Sequence, residues 1–127
     1  INMRIGYARN SKIWFSLTAK KKILSHENVD RIIYDLEDGE NFKILCRDMK
    51  KGDLLIICGV DDIGSTKNEI EDTWRMIRDL GVEIHVITAP ALFQKENMTL
   101  DELLIRDVTL SVLAFQVEIA NQKLKEL

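Results

Sequence analysis

The chain has 127 residues, 46% of them apolar and 31% charged, and a formal net charge of −3. That length fits one domain with a real hydrophobic core, the balance is that of an ordinary globular protein, and the charge does not announce nucleic acid. No apolar run approaches the roughly 18 residues of a membrane span, no signal-peptide pattern opens the chain, and Cys46 and Cys58 are too few for a disulfide framework, so the expected compartment is the cytoplasm.

The two residues before Met3 are left out of the fold. "RIGYAR" (residues 4–9) reads as a first strand, with Gly6 where close packing is needed. "SLTAKKKILSHEN" (16–28) carries Leu17, Ala19, Ile23 and Leu24 at helical spacing and stops at Asn28. "RIIYDL" (31–36) is a second strand, and "FKILCRDMKK" (42–51) a short amphipathic helix ended by Gly52. "DLLIICGV" (53–60) is continuously apolar, as in a central parallel strand covered on both faces. The segment 65–81 begins with Ser65 and Thr66 as cap residues, keeps Ile70, Trp74, Ile77 and Leu80 on one face, and stops at Gly81. "VEIHVIT" (82–88) is a fourth strand, residues 89–98 form the longest loop, and 99–127 read as one long helix opened by a Thr99–Glu102 capping box.

This order predicts an α/β fold with a mainly parallel sheet, right-handed crossovers and helices on both faces. Sites in such sheets gather at the carboxyl ends of strands, where Arg9, Ser11, Asp61 and Asp62 fall. From Val108 to Ala120 nine of thirteen residues are apolar. Such a helix is either buried in its own domain or lies with one face on its sheet and another on a partner; the second reading predicts a dimer or higher oligomer.

Two readings of the first strand end stay open. Ser11 is a nucleophile or a polar turn residue; Arg9 binds an anion or pairs with Asp61 or Asp62. The two aspartates could also hold Mg²⁺, but side chains of neighbouring strand residues point apart, and no metal site is assigned. His26 and His85 lie in different elements and read as surface or packing residues. The run Lys20–Lys22 reads as a solvated helix face or a DNA contact. A nucleotide-binding doubly wound domain is disfavoured, because no G-x-G-x-x-G follows the first strand.

In order and spacing, "RIGYARNS", "SL" at 16–17, "DRII" at 30–33, "KGDLLIICGVDDIGST", "LGVEIHVIT" and "VTLSVLAFQVEI" resemble the catalytic domain of the serine recombinases, the resolvases and invertases. The resemblance implies a resolvase-like catalytic domain over residues 3–127, with the family's DNA-binding region outside this chain. It implies a site-specific recombinase that cuts and rejoins DNA through a phosphoserine, with DNA as partner, no cofactor, and a dimer or tetramer formed through helix 99–127. Ser11 is then the nucleophile, with Arg9 and Asp61 beside it as further catalytic residues, and Tyr7 matches the family's opening tyrosine.

The match breaks at the arginines. The two arginines of the family's L-D-R-L-G-R are Asp62 and Ser65 here, the loop before the second helix carries none, and the arginine after Glu118 is Ile119. The first-helix glutamines align with Phe15 and Lys20. Arg106, Lys123 and Lys125 are the cations of the long helix and join Tyr7 as candidate substrate-binding residues. Losing one anion-stabilising donor costs ~10²–10³ in rate, so the expectation is a weakened recombinase or, alternatively, a non-catalytic relative that acts as a dimerising regulatory or accessory DNA-associated protein.

Overall fold

The four apolar runs become four parallel strands: β1 (Arg4–Arg9), β2 (Arg31–Asp35), β3 (Leu54–Ile57) and β4 (Glu83–Val86). They pair in the order β2-β1-β3-β4, with Tyr7 beside both Ile33 and Ile57. The computed structural model describes residues 2–93 and 97–126. Four helices alternate with the strands: α1 (Leu17–Ser25), α2 (Glu40–Asp48), α3 (Lys67–Asp79) and the long α4 (Leu100–Lys125). This is the expected resolvase-like α/β architecture.

Alternation along each strand sends side chains to opposite faces of the sheet. Ile5, Tyr7, Leu55, Ile57, Ile84 and Val86 meet Phe42 and Leu45 of α2, Ile70, Trp74 and Ile77 of α3, and Leu110, Ala114 and Val117 of α4. Ala8, Ile56 and Cys58 meet Leu24 of α1 on the other side. Gly6 belongs to this second face, where an added Cβ would touch Leu24 at 3.4 Å.

Several boundaries move from their expected places. Helix α2 starts at Glu40 instead of Phe42, because the Asp35 carboxylate accepts the N–H groups of Asn41 at 2.9 Å and Phe42 at 3.0 Å and so serves as its cap. The helix ends at Asp48, where Met49 turns extended. The 53–60 run is strand only to Ile57. Beyond it, Asp62 accepts the N–H groups of Cys58 and Gly59, and residues Val60–Asp62 wind into a 3₁₀ turn. Ser16 caps α1, which stops at Ser25, and Thr66, not Ser65, caps α3. The Thr99–Glu102 capping box forms as written in the sequence. Pro90–Leu92 make a further 3₁₀ turn in the 89–98 loop; residues 94–96 of that loop and Leu127 at the end of the long helix lie outside the described residues.

The long helix is buried on one side only. Leu110, Ala114 and Val117 enter the core, while Val112 and Phe115 are each half exposed. Burial within its own domain therefore does not account for its apolar composition. Among the described residues no helix is long and apolar enough to cross a membrane.

Candidate active site

β1 and β3 end side by side at the middle of the sheet, so the segments leaving the two strands meet. After β1 come Asn10 and Ser11; after β3 comes the 3₁₀ turn with Asp61 and Asp62. An extended strand would send these two aspartates apart, but the turn brings both carboxylates onto one ammonium. Lys20 Nζ donates to Asp61 Oδ2 at 2.7 Å and to Asp62 Oδ1 at 2.7 Å. Its third strong acceptor is the Arg9 carbonyl at 2.9 Å. An ammonium has three protons, so its 3.3 Å approach to Ser11 Oγ is a weaker, shared contact. The Ser11 hydroxyl donates to Asp61 Oδ2 at 2.5 Å, and the Arg9 N–H donates to Asp62 Oδ1 at 3.0 Å.

Lys20 is 0% exposed, as is Asp62, and Asp61 is 2% exposed. Burial pulls the Lys20 ammonium toward neutrality, but the charges of Asp62 and Asp61 outweigh it and hold its pKa above the ordinary lysine value. Lys20 is therefore a cation here and not a base. Burial, then the charge of Asp61, pushes the Asp62 carboxyl up to about 6 against the opposing pull of Lys20. Burial pushes the neighbouring Cys58 thiol up to about 12, with Asp62 adding to it, so it is an inert thiol at neutral pH.

These contacts correct two expectations. Lys20 is not part of a solvated lysine face; it sits inside, while Lys21 lies over the Tyr34 ring at 3.5 Å. Arg9 makes no ion pair with Asp61 or Asp62 through its side chain, because Lys20 holds both. Its Nε instead donates to the Tyr7 hydroxyl at 3.0 Å, and its guanidinium stacks 5.6 Å from the Tyr7 ring centre and 5.5 Å from that of Phe42. The tip rests against Gly39, where an added Cβ would stand 2.6 Å from Nη2. Tyr7 is fully buried and its hydroxyl donates to Asp35 at 2.5 Å. Burial and that carboxylate drive its phenol far above the usual range. Tyr7 thus reaches the site through Arg9.

Arg9, Ser11 and Asp61 line one cleft of about 980 Å³ between the strand ends, α2 and α4. Lys125 joins them, as do Ser65 and Asn121, whose amide donates to the Ser65 carbonyl at 3.1 Å. The cleft is mixed in charge: Lys12, Lys43 and Arg47 face it with Glu37, Asp38, Glu40 and Glu69. Arg106 is elsewhere, paired with Asp107 at 3.0 Å beside Trp74 and Arg78. Lys123 borders a largely apolar groove of about 700 Å³ formed by Val112, Phe115, Ile119 and Ala120. Glu118 accepts the Lys67 N–H at 3.3 Å and so ties α4 to the start of α3. His26 is exposed, and His85 packs edge-on against Phe93 at 5.8 Å. Among the described residues no three His, Cys, Asp or Glu side chains gather as metal ligands.

Lys20 and Asp35 are the members of this site that sequence reasoning misses. For Lys20 a signal exists: Leu17, Lys20 and Leu24 fall at i, i+3 and i+7, the inward stripe of α1.

No protein-family model matches the sequence, and comparison with curated proteins gives no match. Among solved structures the chain is similar to the crystal structure of a resolvase family site-specific recombinase from Streptococcus pneumoniae. The TM-score is 0.54 at 16% identity, over 99% of this chain and 93% of the other. At that identity the likeness is one of fold.

Proposed function

We propose that this chain works on DNA as a serine-recombinase-type protein, with Ser11 as the attacking group and with slow chemistry. The observation that carries the reading is Ser11 at the rim of the cleft, its proton already directed at Asp61, with Arg9 open to the same space. Ser11 Oγ attacks the phosphorus of a phosphodiester as its proton passes to Asp61. The bond to the departing strand end breaks, and that oxygen takes a proton from water. Attack by the freed hydroxyl on the phosphoserine reverses these steps and rejoins the strand.

Arg9 and Lys125 offset the phosphate charge, and Tyr7 and Asp35 position Arg9. With Asp62, Ser65 and Ile119 where the resemblance calls for arginines, three donors are missing, each of which is worth ~10²–10³ in rate. Their losses need not multiply. Self-association through α4 fits this reading, since Leu104, Ile105, Val108, Val112 and Phe115 leave an exposed apolar stripe along it.

A second reading, a non-catalytic accessory subunit, is favoured by one feature: Lys20 against Asp61 and Asp62 leaves a net negative charge directly behind Ser11, where a phosphate is repelled. Covalent trapping decides between the two. The protein is mixed with DNA carrying a candidate recombination site, alongside Ser11→Ala. An adduct that disappears in the variant supports attack by Ser11. Binding without an adduct supports the accessory role, and the absence of both removes DNA as the partner.

A further inference from the structure

A lysine with no exposed surface is held inside a protein only when its charge is matched and its protons are accepted. Lys20 meets both conditions, and it does so at the group that receives the Ser11 proton. Without it, two enclosed carboxylates would converge on an empty space and share one proton, because like charges this close do not both ionise. A carboxyl group that keeps a proton no longer accepts one from serine.

We propose that Lys20 is the positioning residue of this site: acting through Asp61 and Asp62, it keeps the acceptor of the Ser11 proton charged and in place. The functional meaning rests on Ser11 being the attacking group, whereas the electrostatic claim concerns these side chains alone. The groups facing the cluster are few. From β1 and its end come the Arg9 N–H and carbonyl and the Ser11 hydroxyl. From the end of β3 come the N–H groups of Cys58 and Gly59 and the Cys58 thiol, which donates to the Lys20 carbonyl at 3.7 Å. Glu27, past the end of α1, acts from further away through its charge on Cys58. Lys20 is the one cation that touches both carboxylates among the described residues.

The test uses the full chain, ¹³C-labelled at Asp and Ser, with the two carboxyl resonances and the Ser11 Cβ resonance followed across pH. The result expected for the wild type is no carboxyl inflection above neutral pH and a steady Ser11 Cβ there. In Lys20→Met the pair keeps one proton at neutral pH, and the carboxyl and Ser11 inflections move up together by about one pH unit or more. Identical inflections in the two proteins overturn the proposal. Should Lys20→Met fail to fold, Asp62→Asn and the double variant Lys20→Met/Asp62→Asn differ only in Lys20. Asp61 must then ionise at lower pH where the lysine is present, and equal values overturn the proposal.

Adduct formation gives the functional arm. One pH unit below its midpoint an acceptor is about one-tenth charged. A Lys20→Met midpoint raised to about one unit above neutral pH therefore lowers the rate there about ten-fold, with recovery as pH rises, while an unchanged pH profile overturns the positioning role. A wild type that forms no adduct removes Ser11 attack as the function, and the carboxyl titration still decides the role of Lys20.

Discussion

On the face of the sheet covered by α2, α3 and α4, nineteen described residues form one buried apolar cluster; under α1 there are four, and a lysine and two aspartates lie as deep beside them. The large face gains stability from area removed from water, about 25 cal/mol per Å², and tolerates small changes of shape. The small face has little area to offer and is organised by charge. There, removing one partner exposes the others to an uncompensated field, so a single substitution is felt by the whole cluster. The Ser11–Asp61 end of the candidate site is held by the charged cluster of the second face, with defined geometry and little reserve, while Arg9 rests on Tyr7 and Phe42 of the first.

Breaking the charged face should produce the largest effect. Lys20→Met leaves two enclosed carboxylates unpaired and is expected to lower stability by about 3–5 kcal/mol in urea unfolding. Adding Asp62→Asn should return more than half of that loss, and no recovery would argue that packing, not charge, holds α1 down. On the apolar face, Ile57→Ala is expected to cost about 3 kcal/mol, whereas volume-conserving Ile57→Leu should stay under about 1.5 kcal/mol. Equal losses from the two would show that the large face is as exacting as the small one.

Acid titration sharpens the comparison further. The Asp62 carboxyl stands at about 6 in the folded chain against 3.8 as its ordinary value, so between these pH values the folded state binds the extra proton. As pH rises through that window Asp62 subtracts stability, by at most about 3 kcal/mol. Stability of the wild type relative to Asp62→Asn should therefore fall between pH 4 and pH 6.5 in parallel urea series. A relative stability that rises over this range would contradict the buried triad. The smallest effect is expected away from both faces: Thr99→Ala removes the cap of α4 and should cost about 1 kcal/mol in thermal or urea unfolding.

Much of the fold is legible along the chain because its signals are local. The Thr99–Glu102 box, Thr66 ahead of α3, and Gly81 at a positive φ of 81° each act within one turn of backbone. Boundaries shift where a distant side chain intervenes. Asp35 extends α2 toward its start, and Asp62 ends β3 early by taking the N–H groups of Cys58 and Gly59, the two residues that follow it. The site is legible in part for the same reason: Arg9, Ser11 and Asp61 stand at strand ends, and parallel strands bring their ends together. Which cation stands behind Ser11 is not local. Lys20 stands three residues after Leu17 and four before Leu24, which puts it on their side of α1, but the carboxylates it meets there come from a distant segment of the chain.

The sequence by itself determined the order of strands and helices, the caps that start and stop them, and the presence of a hydroxyl and a guanidinium at the end of β1. Tertiary structure alone decided that Lys20, 41 and 42 positions before Asp61 and Asp62, pairs with both of them, and that Arg9 is thereby left to Tyr7 and the cleft. Helical periodicity and capping are set by neighbours a few residues away. An ion pair buried between α1 and the end of β3 exists only once the sheet has placed β1 beside β3 and α1 has packed across them.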